Sequence, residues 1–279
     1  MTPTPEQTGS ARPLSAIILA AGKGTRMQSD LPKVCHPVGG RPMVCAVIDA
    51  CLEAGCVRVV VVVGYKQELV REACAGYGDR VEYAVQDEQL GTGHAVMCAR
   101  GAYERELASG GEGDAFVLCG DGPLIRAETL RTLLELHRNT QAAGTLATAR
   151  LDDPTGYGRV VRSEDGRFAR IVEQKNATPG ELAIREVNPS YYIFGVGGLF
   201  RSLERVTKNE TTGEYYVTDV PAILLADGGR VEVIDAVPPE DILSINTLEQ
   251  LAEVDRIYRS RHGGSGGVGV GAGGAGGGA

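Results

Sequence analysis

The chain is 279 residues long, which allows one large domain or two small ones. Hydrophobic residues make up 43% and charged residues 23%, the mix of a globular protein with enough apolar side chain for a sizeable core. The 28 basic and 36 acidic residues give a net charge of −8, which argues against a broad electrostatic nucleic-acid binder but not against a local basic cluster facing a small polyanion.

Residues 1–13 form a polar leader with one acid, Glu6, and one base, Arg12. It lacks the positive start of a secretory signal and is expected to be disordered. No apolar run approaches the roughly 18 residues of a membrane helix. Ala16–Ala20 is apolar and runs into a glycine turn, as a buried first strand does. Met43–Leu52 places Val44, Val47, Ile48, Cys51 and Leu52 at helical spacing. Val57–Val63, β-branched apart from Arg58, reads as a parallel strand buried on both faces. Leu69–Cys74 suits a short helix, Val81–Val85 a strand, Gly93–Leu107 a helix, Phe116–Leu118 a strand and Glu128–His137 a helix. This βαβα order predicts an α/β, Rossmann-like three-layer fold: a mostly parallel sheet with helices on both faces.

The second half changes character. Leu146–Arg150, Gly158–Arg162, Ala169–Val172 and Val187–Phe194 read as strands, and the β-rich insert at about 145–195 is expected to pack on the sheet edge as one wall of a cleft. Helices follow at Gly198–Val206 and Tyr216–Ala226, then a strand at Val231–Asp235. Thr247–Tyr258 is a closing helix whose Thr247-x-x-Gln250 matches a capping box. The body, 14–262, is read as one domain. The tail, 263–279, holds eleven of the 39 glycines and is expected to be flexible.

The seven cysteines are odd in number and show no CxxC spacing, and the four histidines show no metal-binding spacing. Reduced, buried thiols in a cytoplasmic protein are the expectation.

Two segments carry chemistry. Leu19-Ala20-Ala21-Gly22-Lys23-Gly24-Thr25-Arg26-Met27 follows the first strand. Its glycines let a backbone approach a ligand and aim amide N–H groups at it, while Lys23, Arg26 and the nearby Lys33 supply positive charge for a phosphate. Walker A is absent. The dinucleotide fingerprint fails too, because Met27 stands at its third glycine and Gly64 where its ribose-binding acid should be. In Leu118-Cys119-Gly120-Asp121-Gly122-Pro123-Leu124, an aspartate ends a buried strand, where open α/β sheets bind ligands and where a carboxylate can hold a hard cation. A simple turn aspartate is the competing reading.

LAAGKGTRM, LPK, QDEQLGTGHA (86–95), DDPTGYGR (152–159), VEQK (172–175) and TGEYYVTD (212–219) occur in that order. Together they resemble the N-terminal uridylyltransferase domain of the bacterial bifunctional N-acetylglucosamine-1-phosphate uridyltransferase/glucosamine-1-phosphate acetyltransferase family, within the sugar nucleotidyltransferase superfamily. The likeness covers about residues 14–260. It implies transfer of uridylyl from UTP to N-acetylglucosamine 1-phosphate, with Mg²⁺, in the cytoplasm, with no nucleic acid or membrane partner.

The resemblance also implies roles. The backbone of Leu19, Ala20, Ala21 and Gly22, with Gln86, Gly91 and Thr92, would hold the uridine part. Arg26 and Lys33 would neutralise the triphosphate. Asp121 and Asn246 would ligate Mg²⁺. Cys119, Gly120, Gly158, Glu173 and Asn188 would line the sugar site. The chain departs from the family pattern at Cys119, where the enterobacterial pattern has tyrosine, at Gly122, where it has a branched apolar residue, and at Asn188-Pro189-Ser190, where Asn-Thr-Gly is more usual. No hexapeptide repeat follows Tyr258, so no acetyltransferase activity is expected and the oligomeric state stays open. Use of another sugar 1-phosphate such as glucose 1-phosphate, or a non-catalytic sugar-nucleotide-binding regulatory role, are the alternatives.

Overall fold

The computed structural model describes residues 12–24, 27, 29–243 and 245–262. Most of the leader, the glycine tail, Thr25, Arg26, Gln28 and Ser244 lie outside the described residues. Eleven strands are described: β1 Leu14–Ala20, β2 Pro37–Val38, β3 Arg41–Pro42, β4 Arg58–Val63, β5 Val81–Val85, β6 Asp114–Cys119, β7 Gly144–Arg150, β8 Gly158–Arg162, β9 Phe168–Val172, β10 Glu186–Gly195 and β11 Val231–Asp235. The α-helices are α1 Met43–Glu53, α2 Gln67–Cys74, α3 Thr92–Cys98, α4 Glu104–Ala108, α5 Ala127–Asn139, α6 Pro179–Leu182, α7 Val196–Leu203, α8 Val220–Ala226 and α9 Leu248–His262.

The main sheet runs β11-β7-β10-β6-β1-β4-β5. β1 pairs in parallel with both β4 and β6, and Leu19 is level with Val62 on one side and Cys119 on the other. In β4, Val59 through Val63 have no exposed surface at all, so both faces of that strand must be covered. The alternation along β1 shows how. Ala16, Ile18 and Ala20 pack with α1, α2 and α5 residues such as Val44, Ile48, Val70 and Leu130. Ile17 packs on the other face with Val96, Leu199, Phe200 and Val220 from α3, α7 and α8. Helices on both faces of a mostly parallel sheet are the expected layering.

Three expectations change. The 145–195 stretch is not an insert on the sheet edge: β7 and β10 are interior strands, with β10 antiparallel to β6 and β7, and only β8 and β9 leave the main path. The expected helix at 93–107 is α3, a 3-10 turn over Ala99–Tyr103, and α4. Gly101 weakens that helix, and Tyr103 is drawn into the core, its hydroxyl 2.9 Å from that of Ser15. The 216–226 helix is a 3-10 turn over Val217–Asp219 followed by α8. The capping box is present: Gln250 N donates to Thr247 Oγ1 and Thr247 N donates to Gln250 Oε1, each at 3.2 Å.

β6 carries an aspartate just before the strand's residues begin to fill the core and another just past its end. Asp114, at the start, is fully buried. Arg138 Nε donates to its Oδ2 at 2.9 Å, and His137 Nε2 lies 3.5 Å from Oδ1. Burial pushes this carboxyl up, but His137 and Arg138 outweigh it and leave the pKa below the ordinary range. Asp114→Ala would strand the Arg138 guanidinium and take away the partner of the buried His137 ring, and the expected loss is about 3 kcal/mol, the low end for a broken buried pair because Arg138 keeps some solvent contact. Urea denaturation of the variant checks this.

Candidate active site

The parallel register brings the ends of β1, β4 and β6 to one edge of the sheet, and there the two sequence segments meet. Gly120 N donates to Leu19 O at 2.9 Å, tying the turn after β6 to the loop after β1. Gly24 has a φ of +69°, and a Cβ there would sit 2.6 Å from Lys33 Cβ. Only glycine lets Lys33 come this close to the loop. Lys33 Nζ then donates to Asp121 Oδ2 at 2.6 Å, with the two side chains 18% and 34% exposed. The ammonium and the carboxylate are thus held face to face at the mouth of the site.

Two cavities flank this pair. One, of about 290 Å³, is lined by Leu19, Ala21, Gly22, Gln86, Gln89, Gly91, Thr92, Ala95, Cys119, Asp121 and Glu214. A Cβ on Gly22 would meet nothing within 4 Å, so the loop backbone is open to a ligand. Gln86 is buried, and its Nε2 donates to Gly91 O at 3.1 Å. Gly91 has a φ of +97°, and a Cβ there would fall 2.5 Å from Tyr215 O. Tyr215 N donates to Leu90 O at 2.8 Å, Gly93 N to Tyr215 O at 2.8 Å, and Val217 N to Thr92 Oγ1 at 3.1 Å. The QLGTGHA and GEYYVTD segments therefore form one stitched wall. Thr92 spends a lone pair on that stitching.

The second cavity, of about 200 Å³, is lined by Cys119, Asp121, Gly122, Gly156, Tyr157, Gly158, Glu173, Asn188, Pro189, Ser190, Tyr191, Asp241, Ile242 and Leu243. Gly158 is level with Asn188 across the β8–β10 pairing, and a Cβ on Gly158 would lie 3.7 Å from Glu173 Oε2. Asn188 Oδ1 accepts from Ser190 N at 3.1 Å, and its Nδ2 donates to the Tyr192 hydroxyl at 2.5 Å. The loop before β8 is braced by Arg159, a buried guanidinium that donates to Tyr157 O and, at 3.0 Å, to Gln174 Oε1, which also accepts from Gly156 N at 2.9 Å.

Cys119 and Asp121 line both cavities. The structure thus brings Leu19, Ala21, Gly22, Gln86, Gly91 and Thr92 together in one cavity and Gly158, Glu173 and Asn188 in the other. Ala20 packs into the core instead, and Gly120 serves through its backbone tie to Leu19. Asn246 lines neither cavity; its backbone N donates to Gln250 Oε1 at 2.7 Å, and its side chain makes no hydrogen bond among the described residues. Arg26 lies outside the described residues. The sequence reading had not singled out Gln89, Glu214, Tyr157, Tyr191 or Asp241–Leu243 as lining. Gln89, Tyr157 and Glu214 lie inside the QDEQLGTGHA, DDPTGYGR and TGEYYVTD motifs, so their segments were legible, but not which side chains face the cavities. Burial pushes the Cys119 thiol up to about 12, so it is not a nucleophile at neutral pH.

Glu173 is the charged group with most to lose in the second cavity. Burial raises its pKa; the Thr218 hydroxyl, donating to Oε1 at 3.1 Å, opposes this, while Asp219 and Glu214 add to the rise. A carboxyl whose folded pKa is raised makes folding less favourable once pH climbs above the unfolded value, and that cost is absent where both states are protonated. Glu173→Gln should therefore melt higher than the parent at neutral pH, with the gap closing as pH falls below the ordinary glutamate range. Thermal melts from about pH 4 to about pH 8 measure it. A gap that stays constant across that range would show the carboxylate is not ionised under strain.

Residues 16–212 match the MobA-like NTP transferase domain. The chain is similar to the bifunctional protein GlmU of Geobacter metallireducens, 46% identical over 248 residues, which are 89% of this chain and 51% of that protein. It is 48% identical over 246 residues to the bifunctional protein GlmU of Geobacillus thermodenitrificans, covering 88% of this chain and 52% of that one. The chain spans about half the length of these curated relatives. The crystal structure of an apo UDP-glucose pyrophosphorylase shares the fold, with a TM-score of 0.69 at 18% identity over 90% of this chain and 99% of that one. With the match spanning most of the described body, the chain belongs to the MobA-like NTP transferase family and is a nucleotidyltransferase.

Proposed function

We propose that this chain transfers uridylyl from UTP to N-acetylglucosamine 1-phosphate, giving UDP-N-acetylglucosamine and pyrophosphate. The observation that carries the reading is that Asp121 and Cys119 are shared by two cavities, one walled by glycine-loop backbone and the other by sugar-compatible polar groups. A phosphate held at that junction would face both a nucleotide and a sugar. The ordered motifs and the GlmU relatives favour uridine and N-acetylglucosamine as the two occupants.

The acceptor phosphate is already ionised near neutral pH, so in-line attack on the α-phosphorus needs no strong base. The difficulty is bringing two anions together. Leu19–Gly22 backbone and Gln86 would orient the nucleotide, and Gly91, packed against Tyr215, would complete the wall that its base meets. Lys33 would leave Asp121 for the phosphates, and Arg26 is the second cation that the resemblance assigns to them. Glu173, which accepts only when ionised, suits sugar hydroxyls, and Asn188 can both donate and accept. The work is positioning and electrostatic stabilisation.

The Asp121 carboxylate, which lines both cavities, is a hard donor that suits Mg²⁺ when phosphate and water fill the remaining positions; Asn246, which lines neither cavity, is the second ligand that the motif resemblance implies. Bound there, the ion would neutralise phosphate charge. The seven cysteines are free, in keeping with a reducing, cytoplasmic setting.

The test is pyrophosphate release from four nucleotides crossed with several sugar 1-phosphates. UTP with N-acetylglucosamine 1-phosphate is expected to give the highest kcat/KM. Equal or better turnover of glucose 1-phosphate would move the assignment to another sugar, and no turnover of any pair would favour a binding role. Asp121→Asn should lower kcat by about 10²-fold or more, the scale of losing one electrostatic stabiliser. Its melting temperature should stay close to the parent's, because Asp121, unlike Asp114, keeps solvent contact. Activity that survives the substitution would remove Asp121 from the reaction.

A further inference from the structure

Gln86 lines the first cavity and is only 3% exposed, while His94, from α3, lines neither cavity and stands behind it. Gln86 Nε2 lies 3.1 Å from Gly91 O and 3.1 Å from His94 Nδ1. A carbonyl oxygen only accepts, so the atom facing Gly91 is the amide nitrogen and the sense of the amide is fixed by chemistry. Its second N–H has an acceptor only when His94 Nδ1 carries a lone pair, which puts the imidazole proton on Nε2.

The far side of the ring agrees. His94 Nε2 lies 3.9 Å from Cys98 Sγ, one turn along α3, where sulfur is a weak acceptor. Burial pushes the Cys98 thiol up and Asp87 adds to the rise, so no thiolate draws a second proton onto the ring. With both N–H groups of Gln86 taken, only Oε1 is left for a ligand, and among the described residues it accepts no hydrogen bond. An amide that can only accept discriminates between bases. Uracil carries N–H at its ring position 3 where cytosine carries a bare lone pair, so one oxygen attracts the first and repels the second.

We infer that His94 is a positioning residue for base selection: by accepting the second N–H of Gln86 at Nδ1, it holds that amide as a pure acceptor toward the base. The inference rests on the proposed uridylyl transfer, with the first cavity as the nucleotide site. Without the Nδ1 acceptor a buried N–H is left unpaired, and turning it toward the ligand is the least costly repair. That repair weakens uracil and favours cytosine.

The experiment shifts the acceptor along the side chain. His94→Asn puts an amide oxygen at the δ position of Nδ1, His94→Gln moves it out to the ε position, and His94→Phe keeps a ring beside Tyr215 without either nitrogen. On the full-length chain, KM for UTP is measured at saturating N-acetylglucosamine 1-phosphate, KM for the sugar phosphate at saturating UTP, kcat/KM with CTP in place of UTP, and melting temperature without ligands. His94→Gln and His94→Phe should raise the UTP KM about 3- to 10-fold, the scale of one lost hydrogen bond. They should narrow the preference for UTP over CTP and leave the sugar-phosphate KM unchanged, while His94→Asn keeps the parental values. If His94→Phe does not fold, the contrast between His94→Asn and His94→Gln decides the matter. Equal UTP KM values for those two variants overturn the inference and leave the function standing. So does an equal rise in the KM of both substrates. A parent that turns over no UTP removes the function, and the inference with it.

Discussion

The in-register parallel pairing of β1 with both β4 and β6 is the constraint from which the site follows. It sets Leu19 level with Cys119, so the glycine loop and the Asp121 turn leave the sheet together. Parallel strands need crossovers, crossovers put helices on the faces, and the faces must then be apolar throughout. That is why β4 is five valines without exposure. The same arrangement gathers the cavity-lining polar groups at the carboxyl edge of the strands. Leu19, Gln86, Cys119 and Asp121, which line these cavities, sit at or just beyond that edge.

The two aspartates of β6 show how environment separates structure from chemistry. Asp114 is sealed between His137 and Arg138 and has no freedom to change partner. Asp121 keeps solvent contact and faces one flexible ammonium. A lysine is a compact charge on a long stem, able to swing from carboxylate to phosphate without breaking a fixed fork. The pairing also keeps the mouth of the cavities from carrying a bare negative charge.

Much of this was legible in residues. The valine run announces a strand buried on both faces, the glycine loop and the aspartate after β6 announce turns at the strand ends, and the layered sheet follows. The Thr247–Gln250 box also needed only its spacing. What was hidden is long-range. β7 and β10 look like a local meander, yet β10 enters the sheet antiparallel beside β6, a choice made by the whole sheet rather than by its own pattern. The resemblance places Thr92 with the uridine part, and nothing in its own segment signals that its hydroxyl accepts from Val217 N. The bulge at Ser190, where β10 changes register against β7 and φ is +65°, left no sequence signal beyond a departure from the Asn-Thr-Gly pattern, because positive φ at a non-glycine residue is imposed by its surroundings.

The stitched wall of the first cavity has a consequence for heredity. Gly91 has no room for a side chain because a carbonyl 124 positions later in the chain already fills the space, and Thr92 holds Val217 at a separation of 125. A change in either segment is therefore judged against the other, and its effect depends on genetic background. Shuffling relatives at a crossover between them would break a surface that neither parent lacks. A library meant to reshape this cavity must vary the two segments jointly, because each sets the space that the other can use.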